Sequence, residues 1–157
     1  MILVVMDFDG TLFDSPMPPS WWTQGYWWGD ERSLNPPAVP EHPDLDWWNE
    51  DLLTVVRECL DDPDRYCMLL TGRNQGTANF DERIPELLHQ QGLDFDSVQL
   101  SPTRKTKEWK LAVILEWLVD NNGDTVEIWE DVSKYLVFYI TELETLDYKV
   151  IPHLIEG

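Results

Sequence analysis

The chain has 157 residues, a length that suits one domain, and 43% of them are hydrophobic, which is enough for a sizeable core and disfavours wholesale disorder. Its formal net charge is −19, from 30 acidic and 11 basic residues. Extended tracking along a polynucleotide and docking on an anionic membrane both need a basic surface, so this charge argues against both.

The sequence also bears on the compartment. The apolar start, residues 1–6, is too short for a signal-peptide core, and no apolar run reaches the length that spans a bilayer. The two cysteines, Cys59 and Cys67, lack the spacing of a disulfide framework. We therefore expect reduced thiols and a cytoplasmic protein.

Strand-like and helix-like segments alternate along the chain. Continuous apolar runs predict strands over Ile2–Asp7, Tyr66–Leu70, Ser97–Leu100, Thr125–Trp129 and Tyr148–Ile151. Apolar residues at helical spacing predict helices over Asn49–Leu60, Asn79–Gln91, Thr106 to about Asp120, and Val132–Leu146. Pro85 offers a later start for the second helix, and Thr106 suits the N-cap of the third. The alternation predicts an α/β domain with a three-layer, Rossmann-like parallel sheet and helices on both faces.

Residues 15–48 interrupt this alternation after the first strand. They contain six of the nine tryptophans, as three doublets, and seven of the 11 prolines. Dense proline excludes regular helix and central strand, so we predict short turns at most. The aromatic content indicates an ordered, cap-like insertion near the functional site of a single domain, residues 1–157. Its tryptophans either pack against the domain or form a stacking wall for a base or sugar.

Chemistry-bearing residues follow the first two strands, at the sheet edge where ligands of parallel sheets bind. Asp7 and Asp9 alternate with Phe8 and so point the same way, with Gly10 allowing a sharp turn behind them. Two neighbouring carboxylates repel each other unless a cation lies between them or one stays protonated. Thr71-Gly72 after the second strand combines a hydroxyl with an unhindered amide, which forms a small oxyanion-binding element.

The next two strand ends carry opposite charges. Arg104, Lys105, Lys107 and Lys110 lie at the start of the third helix, and Glu130-Asp131 follows the fourth strand. Carboxylates without His or Cys suit Mg²⁺, and a lysine beside Mg²⁺ suits a transferring phosphoryl group. One carboxylate can be the nucleophile and another the general acid and base. Each motif alone has a simpler interpretation: a capped turn, a solvated helix face, or an acidic helix start.

The ordered set of motifs resembles the haloacid dehalogenase (HAD) superfamily. Asp7-Phe8-Asp9-Gly10-Thr11-Leu12 is similar to its first motif, Leu69-Leu70-Thr71-Gly72 to its second, a helix-start lysine to its third, and Glu130-Asp131 to its acidic fourth. All four occur in order, at the expected strand ends, and cover nearly the whole chain.

A finer resemblance is to the HAD-like domains associated with Swiss Army Knife RNA-repair proteins. It rests on Leu12-Phe13 with Pro16, Trp47-Trp48, Thr71-Gly72-Arg73, Phe95-Asp96 and Thr106-Lys107-Glu108-Trp109-Lys110. Trp109 stands where that family has Phe, and Val132 and Lys134-Tyr135 stand where it usually has Arg and His. Substrate contacts through that Arg or His are therefore not carried over.

The resemblance implies catalytic roles. Asp7 would be the nucleophile and a Mg²⁺ ligand. Asp9 would protonate the leaving group and then activate water, with its backbone carbonyl on the metal. Thr71 and the amide of Gly72 would hold the phosphoryl oxygens, and Lys110 would neutralise charge. Lys107 and Lys105 compete with Lys110 for the third-motif position.

The resemblance also implies the remaining site residues. Glu130 and Asp131 would complete the metal site begun by Asp7 and Asp9. The further candidates for contacts with the phosphate or the substrate are Gly10, Thr11, Gly72, Arg73 and Lys107.

The expected function is Mg²⁺-dependent phosphomonoester hydrolysis through a phosphoaspartate, on a nucleotide or a nucleic-acid end. A local basic spot (Arg73, Arg104, Lys105 and Lys107) with base stacking would serve an end-binding enzyme. A phosphatase of small sugar or nucleotide phosphates is the alternative that a closed insertion favours. A non-catalytic Mg²⁺-binding interaction module is the alternative that a large exposed tryptophan patch without a cleft favours.

Overall fold

Five parallel strands form one sheet, in the order β3-β2-β1-β4-β5. The elements in chain order are β1 (Ile2–Met6), α1 (Glu50–Leu60), β2 (Arg65–Asn74), α2 (Phe80–Gln90), β3 (Ser97–Ser101), α3 (Thr106–Asp120), β4 (Thr125–Glu130), α4 (Ser133–Thr145) and β5 (Lys149–Leu154). The computed structural model describes residues 1–156. The predicted α/β class with a parallel Rossmann-like sheet is confirmed.

The central strand β1 divides the core into two layers. It pairs with β2 on one side and β4 on the other. Met6 packs in a cluster with α1 and α2, whereas Leu3 and Val5 pack in a cluster with α3 and α4. Helices therefore cover both faces, as the continuous apolar run predicts for a strand buried on both sides.

The helix predicted over Asn79–Gln91 is confirmed as α2, with Asn79 as its N-cap. Pro85 does not begin α2, because the helix starts at Phe80 and contains the proline. Pro85 removes only the hydrogen bond to the carbonyl of Asp81, and both residues are exposed, so water can reach that carbonyl. Thr106 is the first residue of α3 rather than its N-cap, which is Lys105. The Thr106 side chain instead lies against Gly72.

The expectation of reduced thiols is also wrong, because Cys59 and Cys67 form a disulfide. Cys59 lies in the last turn of α1 and Cys67 in β2, and both are buried beside Val4. The return of the chain from α1 into β2 brings their Cα atoms to 6.5 Å, within the range that a disulfide spans. Their sequence spacing does not reveal this approach.

The insertion, residues 15–48, is irregular, with three short 3₁₀ turns at Trp27–Gly29, Glu31–Ser33 and Leu45–Trp47. This agrees with the prediction of short turns at most. Its two ends meet, because Phe13 forms a β-bridge with Trp48 and the Asp14 amide donates to the Trp47 carbonyl at 2.8 Å. Leu34 and Val39 are buried in the α1–α2 core. The insertion is therefore packed onto one layer of the domain.

Arg83 of α2 fixes the middle of the insertion. Its guanidinium is buried and donates to the carbonyls of Leu34 at 2.9 Å, Pro40 at 2.8 Å and Glu41 at 3.1 Å. These carbonyls lie in an irregular segment, so no helix or β-sheet supplies them with a backbone hydrogen-bond donor. Arg83 thus supplies the hydrogen bonds that the prolines cannot.

Within residues 1–156, no helix is both long enough and apolar enough to cross a membrane.

We expect Arg83→Met to lower the free energy of unfolding by about 2 kcal/mol, because the carbonyls it serves lose their donor. Urea denaturation measures this loss, and limited proteolysis should cut residues 15–48 faster in the variant. Arg57→Met is the matched control, since Arg57 donates to the Gln91 carbonyl at an exposed position. Equal, small losses in the two variants would contradict the role given to Arg83.

Candidate active site

The carboxyl ends of β1, β2 and β4 meet at one cleft of about 460 Å³. β1 lies between the other two strands, so Asp7 after β1, Thr71 within β2 and Glu130 at the end of β4 are neighbours. The Asp7 amide continues the ladder by donating to the Trp129 carbonyl at 3.1 Å. The strand order therefore gathers residues that are far apart in sequence.

Lys110 reaches this cleft from the second turn of α3. Its ammonium donates to Asp7 Oδ1 at 3.0 Å and lies 3.4 Å from Glu130 Oε2. Burial opposes its charge, but the carboxylates of Asp7 and Glu130 hold the pKa of Lys110 above its ordinary value. Lys110 is thus a permanent positive charge beside the candidate nucleophile.

Three carboxylates share this space. One oxygen each from Asp7, Glu130 and Asp131 lies within 4.8 Å of the others. Burial first, and then the charge of Asp7, raises the pKa of Glu130 against the opposing effect of Lys110. Burial, a hydrogen bond with Asp7 and its charge raise the pKa of Asp131 to about 7. Such a cluster binds protons or a cation, and its hard oxygen donors suit Mg²⁺.

The turn after β1 is shaped around these carboxylates. Gly10 has a φ of +72°, and a Cβ there would overlap the Asp131 carboxylate, so the position requires glycine on two grounds. Thr11 is buried, and its hydroxyl donates to Asp7 Oδ2 at 3.0 Å, with Asp131 Oδ1 at 3.4 Å. Gly10 therefore leaves room for the Asp131 carboxylate, and Thr11 is hydrogen-bonded to the Asp7 carboxylate.

Thr71 and Gly72 occupy the end of the neighbouring strand. The Thr71 side chain is fully buried, and its oxygen accepts a hydrogen bond from the Arg73 amide at 3.1 Å. Its hydroxyl hydrogen remains able to donate. Gly72 lines the cleft, and a Cβ there would lie 3.0 Å from Thr106 Cγ2, so the Thr106 side chain at the start of α3 would have to shift.

Arg73 pairs with Asp9 and not with a surface acid. It donates to the Asp9 carboxylate at 2.7 Å from Nη2 and at 3.0 Å from Nε. It also donates to the Ser33 hydroxyl and to the Trp28 carbonyl, at 3.2 Å, in the insertion. Burial opposes the charge of Asp9, but Arg73 and a hydrogen bond from Ser15 hold the pKa of Asp9 below its ordinary value.

The predicted basic spot does not assemble at the cleft. The Lys107 ammonium lies 4.9 Å from the centre of the Phe138 ring, Arg104 and Lys105 are exposed, and none of the three lines the described cleft. Arg73 lines the cleft but is paired with Asp9. Of the helix-start cations, the structure brings Lys110 alone to Asp7. The side chain of Asp9 is likewise outside the three-carboxylate group.

Several residues at the site are not indicated by the sequence. Ser15 and Ser33 contact the Asp9–Arg73 pair from the irregular insertion, where no periodicity indicates which side chains turn inward. Tyr26 and Tyr135 line the cleft as well. The departure from the family pattern at Lys134-Tyr135 was the available signal for Tyr135.

We expect Arg73→Met to lower the free energy of unfolding by about 2 kcal/mol, because it leaves the part-buried Asp9 carboxylate without its charged partner. The double variant with Asp9→Asn should lose less than the sum of the two single losses. Urea denaturation measures both.

The control for this prediction is Arg32→Met, which breaks the exposed Arg32–Asp30 pair in the same insertion and should have a much smaller effect. Additive losses at Arg73 and Asp9 would show that the pair is not coupled.

Two solved structures contain chains with the same fold. A chain in a structure of the Pnkp1/Rnl/Hen1 RNA repair complex has a TM-score of 0.58 and 14% identity over 99% of this chain. A chain in a second Pnkp1/Rnl/Hen1 complex has a TM-score of 0.61 and 16% identity over 98%. This chain covers 43% and 46% of those chains, less than half of their length.

The sequence itself matches a family model over residues 8–153, a segment that begins immediately after Asp7. The model describes HAD domain family 1 in Swiss Army Knife RNA repair proteins. Since the match extends over most of the sequence, the chain belongs to this HAD domain family.

Proposed function

We propose that the chain is a Mg²⁺-dependent phosphomonoester hydrolase that acts through a phosphoaspartate on Asp7, on the phosphate of a nucleotide or a nucleic-acid end. The observation that carries this proposal is the convergence of Lys110 and three carboxylates at one cleft. Membership of a HAD family from RNA repair proteins supports both the reaction class and the substrate.

The residues fit Mg²⁺ in charge and in donor type. With Asp7, Glu130 and Asp131 ionised, the three carboxylates and Lys110 sum to −2, which one divalent cation balances. When bound, Mg²⁺ would neutralise charge on the phosphoryl oxygens. The Asp9 side chain is paired with Arg73, so Asp9 would contribute its backbone carbonyl to such a site, as the family resemblance implies.

The reaction would proceed in two displacements. In the first, an Asp7 oxygen bonds to phosphorus, the bond from phosphorus to the leaving oxygen breaks, and Asp9 gives that oxygen a proton. In the second, Asp9 takes a proton from water, the water oxygen bonds to phosphorus, and the bond to Asp7 breaks. Lys110, the Gly72 amide and the Thr71 hydroxyl would stabilise the charge on the phosphoryl oxygens.

Arg73 has opposite effects on the two steps. By favouring the ionised carboxylate, it suits Asp9 for removing a proton from water. The first step requires Asp9 to carry a proton, against the effect of Arg73. We propose that this pair sets the balance between the acid and base roles of Asp9.

A phosphatase of small sugar or nucleotide phosphates is the second candidate. The insertion favours it, because Met17, Tyr26 and Trp28 line the cleft together with the strand ends. The exposed Met17, Trp21 and Tyr26 are the feature that an interaction module would use, but Met17 and Tyr26 line a formed cleft.

Two observations bear on the location of the protein in opposite directions. Membership of a family from RNA repair proteins agrees with a cytoplasmic location. The Cys59–Cys67 disulfide argues against a reducing compartment.

We expect Asp7→Asn to lower Mg²⁺-dependent phosphate release by roughly 10³-fold or more, because it removes the nucleophile. The assay compares an aryl phosphate with 3′- and 5′-phosphorylated oligonucleotides. Asp51→Asn, an exposed carboxylate on α1, is the control and should retain the wild-type rate. Preference for an oligonucleotide supports end repair, and preference for small phosphates supports the second candidate. If no phosphate is released from any of these substrates, the proposal that the chain is a hydrolase is wrong.

We expect Mg²⁺ to raise the melting temperature by roughly 5 °C at about pH 8, and by less at about pH 5. The raised pKa values of Glu130 and Asp131 mean that the folded protein holds these protons after the unfolded chain has lost them. Without metal, stability should therefore fall as the pH rises from the ordinary values of 4.5 and 3.8 towards the raised ones. Mg²⁺ replaces the protons and offsets that loss.

Thermal melts of wild type, Asp131→Asn and Asp51→Asn with and without Mg²⁺ measure this effect. Asp131→Asn should lose most of the Mg²⁺ shift and Asp51→Asn should keep it. Equal shifts in all three proteins would mean that the metal binds elsewhere.

A further inference from the structure

Two chemically different sets of side chains line the cleft. The first set is charged and suits a phosphate and its counter-ion: Asp7, Lys110, Glu130 and Asp131. The second set consists of the rings of Tyr26, Trp28 and Tyr135, with the apolar side chains of Met17 and Val132. A phosphate needs only the first set, so the second set is available for the rest of the substrate.

We propose that the rings of Tyr26, Trp28 and Tyr135 form a subsite for a nucleobase, which makes the substrate a phosphorylated nucleoside end and not a sugar phosphate. This inference rests on the proposed function, because it assumes that the reacting phosphate lies at Asp7. It adds the group that the cleft recognises and the residues that recognise it.

The first argument is proximity to the reacting groups. The Trp28 ring centre lies 5.3 Å from the guanidinium carbon of Arg73, and Arg73 is hydrogen-bonded to Asp9 at 2.7 Å. Tyr26 is two residues before Trp28 and packs against Gly29, where a Cβ would lie 3.2 Å from Tyr26 Cδ1. Tyr135 lies in the first turn of α4, directly after the acidic end of β4. The rings thus adjoin the groups proposed to act on the phosphate.

The second argument is that other aromatic residues already hold the insertion in place. Trp27 and Trp48 are buried, and the Trp22 ring packs against Trp27 with ring centres 4.9 Å apart. Tyr26, in contrast, is 64% exposed although it borders the cleft. The exposed ring of Tyr26 adds little to the core and is free to contact a ligand in the cleft.

The third argument is electrostatic. The net charge of −19 disfavours holding a nucleic acid through its phosphates, and Lys107 and Arg73 are engaged with Phe138 and Asp9. Stacking on neutral rings needs no basic surface, and every base offers a π-face. The cleft volume of about 460 Å³ falls within the range of sites for small organic ligands. A base on these rings therefore gives the chain a way to hold a nucleic-acid end despite its charge.

The test compares two substrates that differ only in the base. They are a nucleoside monophosphate and the ribose phosphate with the same ester position, and each is assayed for kcat/KM with Mg²⁺. We expect wild type to prefer the nucleotide by roughly 10-fold, and Tyr26→Ala and Tyr135→Ala each to reduce that preference to a few-fold or less. Trp21→Ala is the matched control, because Trp21 is an exposed insertion aromatic that does not line the described cleft, and it should keep the preference.

The outcomes separate this inference from the proposed function. If wild type hydrolyses both substrates equally, or if Tyr26→Ala and Tyr135→Ala keep the preference, the subsite is overturned and the hydrolase stands. If wild type hydrolyses neither, the hydrolase fails, and binding to the Asp7→Asn protein decides the subsite. Calorimetric titration should then show the nucleotide binding more tightly than the ribose phosphate, with the difference lost when Tyr26→Ala is added. Equal affinities would overturn the subsite.

Discussion

The approach of three carboxylates around one buried ammonium is the constraint on which the rest of the structure depends. Asp7 and Glu130 are buried, Asp131 is half-buried, and Lys110 compensates only part of their charge. The sheet order supplies the closeness, because β1 lies between β2 and β4. At Gly10 no side chain obstructs the Asp131 carboxylate. The ammonium comes from α3, which packs with α4 on one face of the sheet. A charge arrangement this unfavourable is maintained because strongly paired strands and buried apolar layers hold it in place.

Two buried arginines hold the insertion to the rest of the domain. Arg73 bonds Asp9 on one side and the Trp28 carbonyl and Ser33 on the other, while Arg83 holds three insertion carbonyls. The chain has 11 basic residues, and committing two of them to buried positions leaves fewer for the surface. The insertion gains its order from cations that the surface does not have.

Residues within regular elements were predictable, and contacts made by the irregular chain were not. The apolar runs placed Asp7 and Glu130 at strand ends, and the parallel sheet made them neighbours, because strand periodicity and chain direction are local properties. The family resemblance over Thr106–Lys110 favoured Lys110 among the four helix-start cations, and the structure brings Lys110, and not Lys107, to Asp7. The Asp9–Arg73 pair and the Cys59–Cys67 disulfide join segments whose approach depends on how turns return the chain. Sequence periodicity does not indicate how turns bring such segments together. For the same reason it did not indicate the contacts of Ser15 and Ser33.

The meeting of the insertion's two ends has a consequence for how such a chain can diversify. Phe13 and Trp48 are bridged, so the segment between them leaves and re-enters the domain at a single point. The entropy of closing a loop grows slowly with its length, and the strands that carry Asp7, Thr71 and Glu130 lie outside this segment. The loop can therefore lengthen, shorten or change its aromatic residues while the sheet continues to hold the reacting groups. In this architecture the proposed selectivity and the proposed chemistry lie on separate stretches of polypeptide, and Arg73 contacts both.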